Sequence, residues 1–364
     1  MPVHELAVLG AGVSGLALAV QHTQLGGSVD VYERRRAVRP DGLAFILQEN
    51  GLAALERLGL RDEAVRGGRE LTEYQLFDHR GNELAQEKLD NCVGVRRGDL
   101  IDALLSRLPA QALHVGKSFV RFGWSAADRA ATAHFTDGTT AEADWFAGSD
   151  GIRSAVRSQL FPGHSLSPVR VNDLVSFAPT AALGLEATTR FSKIVHSDGG
   201  LAVGYLPCGD EVVWFLQFDT FQYPCENAAA IGLADFCRQT LAGWPPMVQR
   251  LIEATDFTRS HLWASTRLTD PLRDYVQGNV ILLGDAAHPL PSVTSQGVNS
   301  ALEDAVALAD ALADVAPLAD YSTSRAEHIA RYIAQGMSLQ ADFLAPVNGD
   351  PVIPLARSAS KGRL

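Results

Sequence analysis

The N-terminal segment contains the pattern that most restricts what this chain can fold into. An apolar run leads into a loop with Gly10, Gly12 and Gly15, and a second apolar segment follows. In this G-x-G-x-x-G spacing, the first glycine makes a tight turn, the second lets a pyrophosphate approach the backbone, and the third lets a helix pack on a strand. Val13 and Ser14 then begin the helix, where free N–H groups bind phosphate. The pattern predicts a strand, a dinucleotide-binding turn and a helix.

An acidic residue completes this fingerprint. The apolar segment "SVDVYE" ends at Glu33, 18 residues after Gly15 (33 − 15 = 18). A carboxylate there accepts hydrogen bonds from a ribose diol, which favours FAD or NAD over NADP at this site. Glu33 and the adjacent Arg34 are therefore candidate cofactor-binding residues. The alternative, a glycine-rich turn in an unrelated α/β protein, does not explain why strand, helix, second strand and acid all occur together.

Two different interpretations of this segment fail. It begins like a G-x-S-x-G nucleophile elbow, but Leu16 stands where that motif needs its second glycine. The uncharged run 6–20 also resembles a signal peptide, but His4 and Glu5 precede it instead of basic residues. The run is short for a membrane span and contains three glycines. We therefore expect no targeting or transmembrane segment.

Charge and cysteine content exclude further classes. The chain has 364 residues and a net charge of −11, so it should repel nucleic acid and anionic membranes. The densest basic run, 34–36, is too short to change this. The four cysteines show neither C-x-x-C nor metal-ligand spacing, so we expect no metal and reduced thiols in a cytoplasmic protein. These cysteines are Cys92, Cys208, Cys225 and Cys237.

A second strand-to-helix junction lies in "WFAGSDGIRSAVR". A strand-like segment ends at Asp150 and Gly151, and a helix with Ser154 and Arg157 follows. By itself this motif is consistent with an ordinary turn, since Asp-Gly is a common turn pair.

A third junction lies in "NVILLGDAAHPLPSVTSQGVNSALEDA". A buried strand ends at Asp285, and a loop with His288 and Pro289 precedes a helix that begins near Gln296. The free N–H groups of that helix point back toward the end of the strand. Its first turn contains Gly297, Val298 and Asn299.

In this order the motifs resemble those of the flavin-dependent aromatic hydroxylases, the p-hydroxybenzoate hydroxylase-like class of FAD monooxygenases. "GSDGIRSAVR" is similar to the second, Asp-Gly motif of that family, and "GDAAHPLPSVTSQGVNSALEDA" to its third. "VRRGDLIDALL" is similar to the family's segment with an arginine before a helix on the flavin side, which points to Arg97. The resemblance extends from residue 3 to about residue 340.

The resemblance implies an FAD-dependent monooxygenase with non-covalent FAD, NADH or NADPH as co-substrate, and O2. It would hydroxylate an aromatic or heteroaromatic small molecule through a flavin C4a-hydroperoxide. Asp285 would bind the flavin ribityl or ribose chain, and the helix from Gln296 would stabilise the N1–C2=O edge. His288 and Pro289 would lie beside the isoalloxazine ring; the competing interpretation makes His288 a general base. The candidate cofactor-binding residues are Gly10, Gly12, Val13, Ser14, Gly15, Glu33, Arg34, Arg97, Asp150, Asp285, Gln296, Gly297, Val298 and Asn299.

Two features depart from the family pattern. Ser295 stands where the family usually has glycine before Gln296. The loop "VRPDGLAFIL" lacks the usual small-residue run near Gly42. This second departure bears on how the flavin reaches nicotinamide.

The implied fold is α/β: a Rossmann-like FAD/NAD(P)-binding domain of the GR2 type, an interleaved β-sheet substrate domain and C-terminal helices. Turn residues at 80–82 and 209–210 predict two hairpins in the sheet domain, and residues 228–242 and 247–254 are expected to be short helices. The expected boundaries are 1–70, 92–162 and 268–345 for the FAD domain, 71–91 and 163–267 for the sheet domain, and 346–364 for the tail.

Strand 212–218 is expected to form the floor of the substrate pocket. Its side chains alternate between two faces, and the resemblance favours Phe215 and Gln217 for the pocket, with Trp214 and Leu216 packed on helices. The alternative is that both faces belong to the core. With His288 and Pro289, the candidate catalytic residues are Phe215, Gln217 and Tyr205; Tyr223 and His196 are further candidates.

The same fold also supports different functions. A halogenase needs a catalytic lysine and a Trp-x-Trp-x-Ile-Pro loop; the chain has four lysines and no such loop. A flavin-dependent reductase acting on isoprenoid chains is compatible with the motifs, and so is a non-catalytic FAD-binding protein, because fold alone does not fix function. The identity of the aromatic substrate, the choice of NADH or NADPH, and a monomeric or homodimeric state are not determined by the sequence.

Overall fold

A computed structural model of the chain describes residues 4–38, 44–125, 129–224, 226, 231–314 and 316–347. Cys225, most of the expected tail and the first part of the expected helix at 228–242 lie outside the described residues.

The first sheet has six strands and contains the glycine-rich turn. Its strand order is β16-β17-β10-β1-β2-β6, and all neighbours are parallel except the pair β16 and β17. Parallel strands need crossover connections, and the helix after the first strand supplies one. The strands are β1 (Glu5–Leu9), β2 (Ser28–Glu33), β6 (Leu113–Val115), β10 (Trp145–Gly148), β16 (Val276–Gln277) and β17 (Val280–Leu282).

The second sheet has eight strands in the order β15-β11-β14-β13-β12-β4-β5-β3. Its pairs are antiparallel except β12 and β4. The strands are β3 (Ala44–Leu47), β4 (Arg69–Asp78), β5 (Glu83–Arg96), β11 (Val171–Pro179), β12 (Arg190–Val195), β13 (Leu201–Cys208), β14 (Glu211–Asp219) and β15 (His261–Ser265). A three-stranded sheet contains β7 (Phe119–Trp124), β8 (Ala130–Phe135) and β9 (Thr140–Glu142).

The helices cover the first sheet and one face of the second. In the described ranges, none of them is long and apolar enough to cross a membrane. They are α1 (Val13–Gln24), α2 (Glu49–Arg57), α3 (Arg61–Val65), α4 (Arg97–Leu105), α5 (Ala155–Leu160), α6 (Thr180–Leu183), α7 (Leu233–Thr240), α8 (Pro246–Glu253), α9 (Gly297–Leu312) and α10 (Leu318–Leu344).

Separate hydrophobic clusters lie on the two faces of the second sheet. One face packs against α7 and α8, with Trp214, Leu216 and Phe236 in its core. The opposite face contains Phe191 and, at its margin, Phe215. The largest cluster surrounds the first sheet, where α1 packs against α9.

Helix α10 connects the two halves of the molecule. Its N-terminal half packs near α9, and its C-terminal end contacts the turn between β12 and β13. There the N–H of Gly200 donates to the carbonyl of Phe343 at 2.7 Å, and the N–H of Val347 donates to the carbonyl of Ser197 at 2.8 Å. The end of α10 is therefore anchored on the second sheet.

Both hairpin turns lie where the sequence predicts them, between β4 and β5 and between β13 and β14. The two short helices are α7 and α8, and α7 begins at Leu233. The domain boundaries stay a prediction. Strand β3 lies within the first expected FAD-domain segment but pairs with β5 in the second sheet.

Candidate cofactor and substrate site

The glycine-rich turn is closed by contacts that only glycine permits at two of its three positions. Gly10 has a φ of 119°, and a Cβ there would lie 2.4 Å from the carbonyl oxygen of Ser149. A Cβ on Gly15 would lie 2.1 Å from the carbonyl oxygen of Gly10. Gly12 differs, because a Cβ there would meet no atom within 4 Å. The space beside Gly12, at the N-terminus of α1, therefore suits a pyrophosphate, and Val13 and Ser14 begin that helix.

Glu33 lies at the end of β2, next to this turn. Its Oε2 accepts a hydrogen bond from the N–H of Ala11 at 3.0 Å, and its Oε1 accepts one from the N–H of Arg35 at 2.9 Å. Each carboxylate oxygen has a further lone pair, so Glu33 is still able to accept a ribose hydroxyl. Arg34 follows it and is exposed.

Asp150 has a helix-capping position in the second motif. Its carboxylate accepts hydrogen bonds from the N–H of Ala155 at 2.7 Å, the N–H of Val156 at 3.2 Å and the hydroxyl of Ser154. This orients α5, so that buried Arg157 donates to the carbonyl of Ala286 at 2.8 Å. The second motif thus supports the loop of the third, and direct contact between Asp150 and a cofactor stays a prediction.

Asp285 lies in a 3-10 turn, Gly284–Ala286, directly after β17. Burial raises the pKa of its carboxyl group, while the charges of His288, Arg157 and Arg97 act in the opposite direction. Arg97 is the first residue of α4. The fold therefore brings together an aspartate and two arginines that the sequence separates widely.

His288 is buried and bound by an aspartate. Its Nε2 lies 2.5 Å from Oδ2 of Asp304, and its ring lies 5.6 Å from that of Tyr275. The same oxygen of Asp304 accepts the N–H of Gly284 at 2.8 Å, and Nε of Arg325 donates to Oδ1 at 2.7 Å. This position favours local hydrogen bonding over a general-base role for His288. Pro289, the next residue, is also buried.

Helix α9 begins next to this loop, and two of its first polar side chains bind protein groups. Nδ2 of Asn299 donates to the carbonyl of Ile46 at 3.0 Å, and Oδ1 accepts the N–H of Gln48 at 3.0 Å. Oε1 of Gln296 accepts from Asn50 at 3.1 Å. These contacts tie the chain after β3 to the start of α9. Gly297 and Val298 supply backbone at the first turn of α9.

Ser295, which departs from the family pattern, adopts the left-handed conformation with a φ of 52°. That region favours glycine, which explains why a glycine is usual at this position. Its carbonyl accepts from Nδ2 of Asn299 at 2.9 Å, so the strained turn is held by a hydrogen bond.

Strand β14 separates its side chains as the alternation predicts. Trp214 and Leu216 are fully buried among the helices on one face, and Phe215 and Gln217 lie on the opposite face. Tyr205 does not join Phe215 and Gln217. It pairs directly with Trp214 across the β13–β14 hairpin, and paired residues project from the same face of a sheet. This placement corrects the grouping of Tyr205 with the pocket residues.

A buried polar chain extends from this face to the loop after Pro289. Nζ of Lys193 donates to Oε1 of Gln217 at 3.1 Å, and Nε2 of Gln217 donates to Oδ1 of Asp173 at 2.9 Å. The hydroxyl of Ser292 donates to the second oxygen of Asp173. The face of the second sheet that carries Phe215 and Gln217 is therefore adjacent to the loop that follows Asp285.

The structure identifies buried charged residues that the sequence patterns do not reveal. Lys193 and Asp173 lie on the face of the second sheet that carries Phe215 and Gln217, and Asp304 and Arg325 lie behind the loop that carries Asp285. The sequence offers a signal of burial for Arg325, because Ala326 and Ile329 lie close to it in the chain. Tyr223 and His196 lie outside the polar chain; the ring of His196 stacks on that of His79 at 4.2 Å.

Comparison with known proteins identifies relatives over most of the chain. The family model described as "FAD binding domain" matches residues 4–335. An FAD-dependent urate hydroxylase from Mycolicibacterium vanbaalenii is 31% identical over 90% of this chain and 85% of its own. A 6-hydroxynicotinate 3-monooxygenase from Bordetella bronchiseptica is 30% identical over 84% of this chain and 81% of its own. The crystal structure of Klebsiella pneumoniae HpxO complexed with FAD and uric acid has a TM-score of 0.77 and 25% identity, covering 94% of this chain and 86% of that one.

Proposed function

The chain belongs to the FAD-binding domain family of FAD-dependent aromatic monooxygenases, and we propose that its substrate is a nitrogen heteroaromatic ring with an oxygen substituent. The fold class and the family predicted from the sequence are confirmed by this membership. The protein is an FAD-dependent monooxygenase, an oxidoreductase that acts on an aromatic or heteroaromatic compound.

The choice of ring is supported by what the relatives act on. The names of these two relatives specify urate and 6-hydroxynicotinate, which are both nitrogen heterocycles that bear oxygen substituents. They match 90% and 84% of this chain. The use of NADH or NADPH is measured by comparing the two co-substrates across a panel of compounds.

The single observation that carries the proposed mechanism is the link between Asp173 and Ser292. It joins the face with Phe215 and Gln217 to the loop that follows Asp285. A ring on that face would lie next to a cofactor held by that loop. Bound FAD would carry electrons from NADH or NADPH to O2 and deliver one oxygen atom to the ring.

The residues of this chain would hold FAD as follows. The space beside Gly12 and the N-terminus of α1 would accept the pyrophosphate, and Glu33 the adenosine ribose. Asp285 would accept a hydrogen bond from the ribityl chain. The N-terminus of α9 would stabilise negative charge at the flavin edge by its positive dipole. No cysteine or histidine has a spacing that indicates covalent attachment, so we expect acid precipitation to release the FAD.

On the substrate side, Phe215 would exclude water from the ring and Gln217 would orient it. Keeping water out matters because it strengthens electrostatic interactions at the reacting atoms. We also propose a cytoplasmic location; Cys92, Cys208 and Cys237 support it, since they are free thiols. A monomeric or homodimeric state stays a prediction.

A panel of compounds tests this function. We expect oxygen-substituted purines, pyridines and quinolines to stimulate NADH or NADPH oxidation by the holoenzyme, with a product heavier by one oxygen atom in mass spectrometry. Carbocyclic phenols and hydroxybenzoates of similar size are the comparison set. If only the phenols and hydroxybenzoates gave a product, the heteroaromatic assignment would be contradicted, while the protein would still be a monooxygenase.

A further inference from the structure

Lys193 is a buried cation on the pocket-facing side of the second sheet. Its exposed fraction is 3%, and its Nζ lies 5.8 Å from the ring centre of Phe215 and 5.9 Å from that of Phe343. An ammonium group has three N–H donors. Among the described residues, Gln217 is the one side chain to which Nζ donates a hydrogen bond. Buried donors normally have partners, so this lysine has capacity for another acceptor.

Asp173 favours the charged form of this lysine without touching it. Gln217 lies between Lys193 and Asp173, and its amide bonds to both. Burial lowers the pKa of Lys193 to about 8, while the charge of Asp173 acts against that shift. Burial also raises the pKa of Asp173, while the charge of Lys193 acts against that shift, so each residue favours the charged form of the other. A buried cation of this kind is costly unless it is paired with an anion.

A closed gap, too small to hold a water molecule, lies next to this cluster, between the sheet, the loop after Pro289 and the end of α10, so a ligand that reaches Lys193 must displace side chains there. It is lined by Val171, Gln217, Ser265, Val293, Gln340 and Phe343. Its lining residues are apolar or neutral, and one of them, Gln217, accepts the hydrogen bond from Lys193. Val293 belongs to the loop that follows Asp285, so this space lies between the substrate face and the cofactor loop.

We propose that Lys193 is a specificity-determining residue that binds a negatively charged oxygen of the aromatic substrate. The inference rests on the proposed function and deepens it. This oxygen is part of a carboxylate, or it is an ionised oxygen substituent on the ring. It would accept hydrogen bonds from the Nζ donors that Gln217 does not use. Charge-assisted hydrogen bonds are stronger than neutral ones, so the site selects the ionised form of a ring over its neutral isostere.

Direct ligand binding tests this inference. We would titrate the holoenzyme with 6-hydroxynicotinate and with its uncharged amide, and measure Kd by calorimetry and by the absorption change of bound FAD. We expect the wild-type protein to bind the acid about ten- to a hundred-fold more tightly. Urate has no carboxylate. Titrating it above and below its own pKa therefore tests whether an ionised oxygen substituent alone produces the preference. At least one of these anions should show the preference.

Two variants localise the effect. Lys193→Met should remove the preference for the anion while leaving the Kd of the amide within about threefold. Gln217→Glu would give the lysine a carboxylate within the protein, and it should remove the same preference while retaining the lysine. If Lys193→Met does not fold, Gln217→Glu decides the question. Lys88→Met, an exposed lysine on the same sheet, is the control and should behave as wild type.

The inference is overturned if neither anion binds the wild-type protein more tightly than its neutral form, or if the preference persists in both variants. That result is distinguishable from failure of the proposed function. A neutral heteroaromatic ring that is hydroxylated with coupled NAD(P)H oxidation, with no preference for its ionised form, would exclude the role of Lys193 and support the proposed reaction.

Discussion

Oδ2 of Asp304 lies 2.5 Å from Nε2 of His288, and both side chains are buried. Arg325, on the next helix, donates to Oδ1 of the same carboxylate, and the N–H of Gly284 donates to Oδ2. One aspartate thus fixes both ends of the turn that carries Asp285. The shape of the cofactor loop depends on an ion pair between α9 and α10.

Asp304→Asn should therefore destabilise the protein strongly. It would remove one of the two buried carboxylates that pair with Arg325, the other being that of Glu303 at 3.2 Å, and breaking a buried pair costs about 3–5 kcal/mol. Urea denaturation of the FAD-free protein measures the loss. Asp310→Asn, on the same helix, removes a partner of Arg57, whose side chain is 42% exposed, and should cost less than about 1 kcal/mol. Equal losses in the two variants would show that the ion pair does not hold the loop.

The glycine turn gives a pair of variants that separate folding from cofactor binding. Gly12→Ala should leave the unfolding free energy of the apoprotein nearly unchanged, because its Cβ meets no atom within 4 Å, but should weaken FAD binding at least tenfold. Gly15→Ala should destabilise the apoprotein itself, since its Cβ would lie 2.1 Å from a backbone oxygen. Thermal unfolding and FAD titration measure the two effects. Normal FAD affinity in Gly12→Ala would place the pyrophosphate elsewhere.

Asp285→Ala should lose FAD without a matching loss of stability. A hydrogen bond to a charged acceptor contributes roughly 1.5–3 kcal/mol, so the Kd for FAD should rise about ten- to a hundred-fold. Fluorescence titration of apoprotein with FAD measures this. Asp235→Ala, whose carboxylate pairs with Arg238 at the surface, serves as the control. If Asp285→Ala keeps its FAD and loses only turnover, the residue acts in the reaction and not in binding.

Neighbouring residues of β14 should give opposite phenotypes. Trp214→Ala and Leu216→Ala should lower stability by roughly 2–5 kcal/mol, since both are fully buried, and should leave coupling nearly intact. Phe215→Ala and Gln217→Ala should instead raise the fraction of NAD(P)H oxidised without hydroxylated product, because a displacement of about 1 Å can reduce a rate a hundred-fold. Hydrogen peroxide and product are measured together. The reverse pattern would mean that the opposite face of β14 meets the substrate.

Lys193 should make stability depend on pH in the alkaline range. Its folded-state pKa, about 8, lies below the ordinary value of 10.5, so the unfolded chain binds more protons between these values. The free energy of unfolding therefore gains a contribution that rises with pH from about 8 to about 10.5. Subtracting the profile of Lys193→Met isolates it, since Asp173, the charged group that acts on this lysine, remains in both proteins. A difference that is flat across this range would show that Lys193 titrates normally.

The sequence predicts local features of the site well, because their spacing is short. Gly10, Gly12 and Gly15 are defined by a turn within six residues, and Asp285 directly follows its strand. The face of Tyr205 also follows from local spacing. Counting back from the turn at Gly209 and Asp210 pairs Cys208 with Glu211, and so Tyr205 with Trp214. This register places Tyr205 on the face opposite to Phe215 and Gln217, and a catalytic role for Tyr205 stays a prediction.

Contacts between distant elements could not be predicted in the same way. Asp304 and Arg325 are 21 residues apart on different helices, and Asp173, Lys193 and Gln217 belong to three strands. No periodicity specifies such partners, because their proximity follows from helix packing and from strand order. Burial of these charges is a property of the folded molecule as a whole.

Helix α10 carries Arg325 near its start and Phe343 near its end. The first holds the loop of Asp285, and the second covers Lys193. Eighteen residues of helix separate them, about 27 Å at 1.5 Å per residue. Substitutions in the last turns of α10 can therefore change the surroundings of Lys193 without affecting the ion pair between Asp304 and Arg325. In related proteins, residues at the end of this helix can therefore change while Arg325 and the loop of Asp285 stay the same.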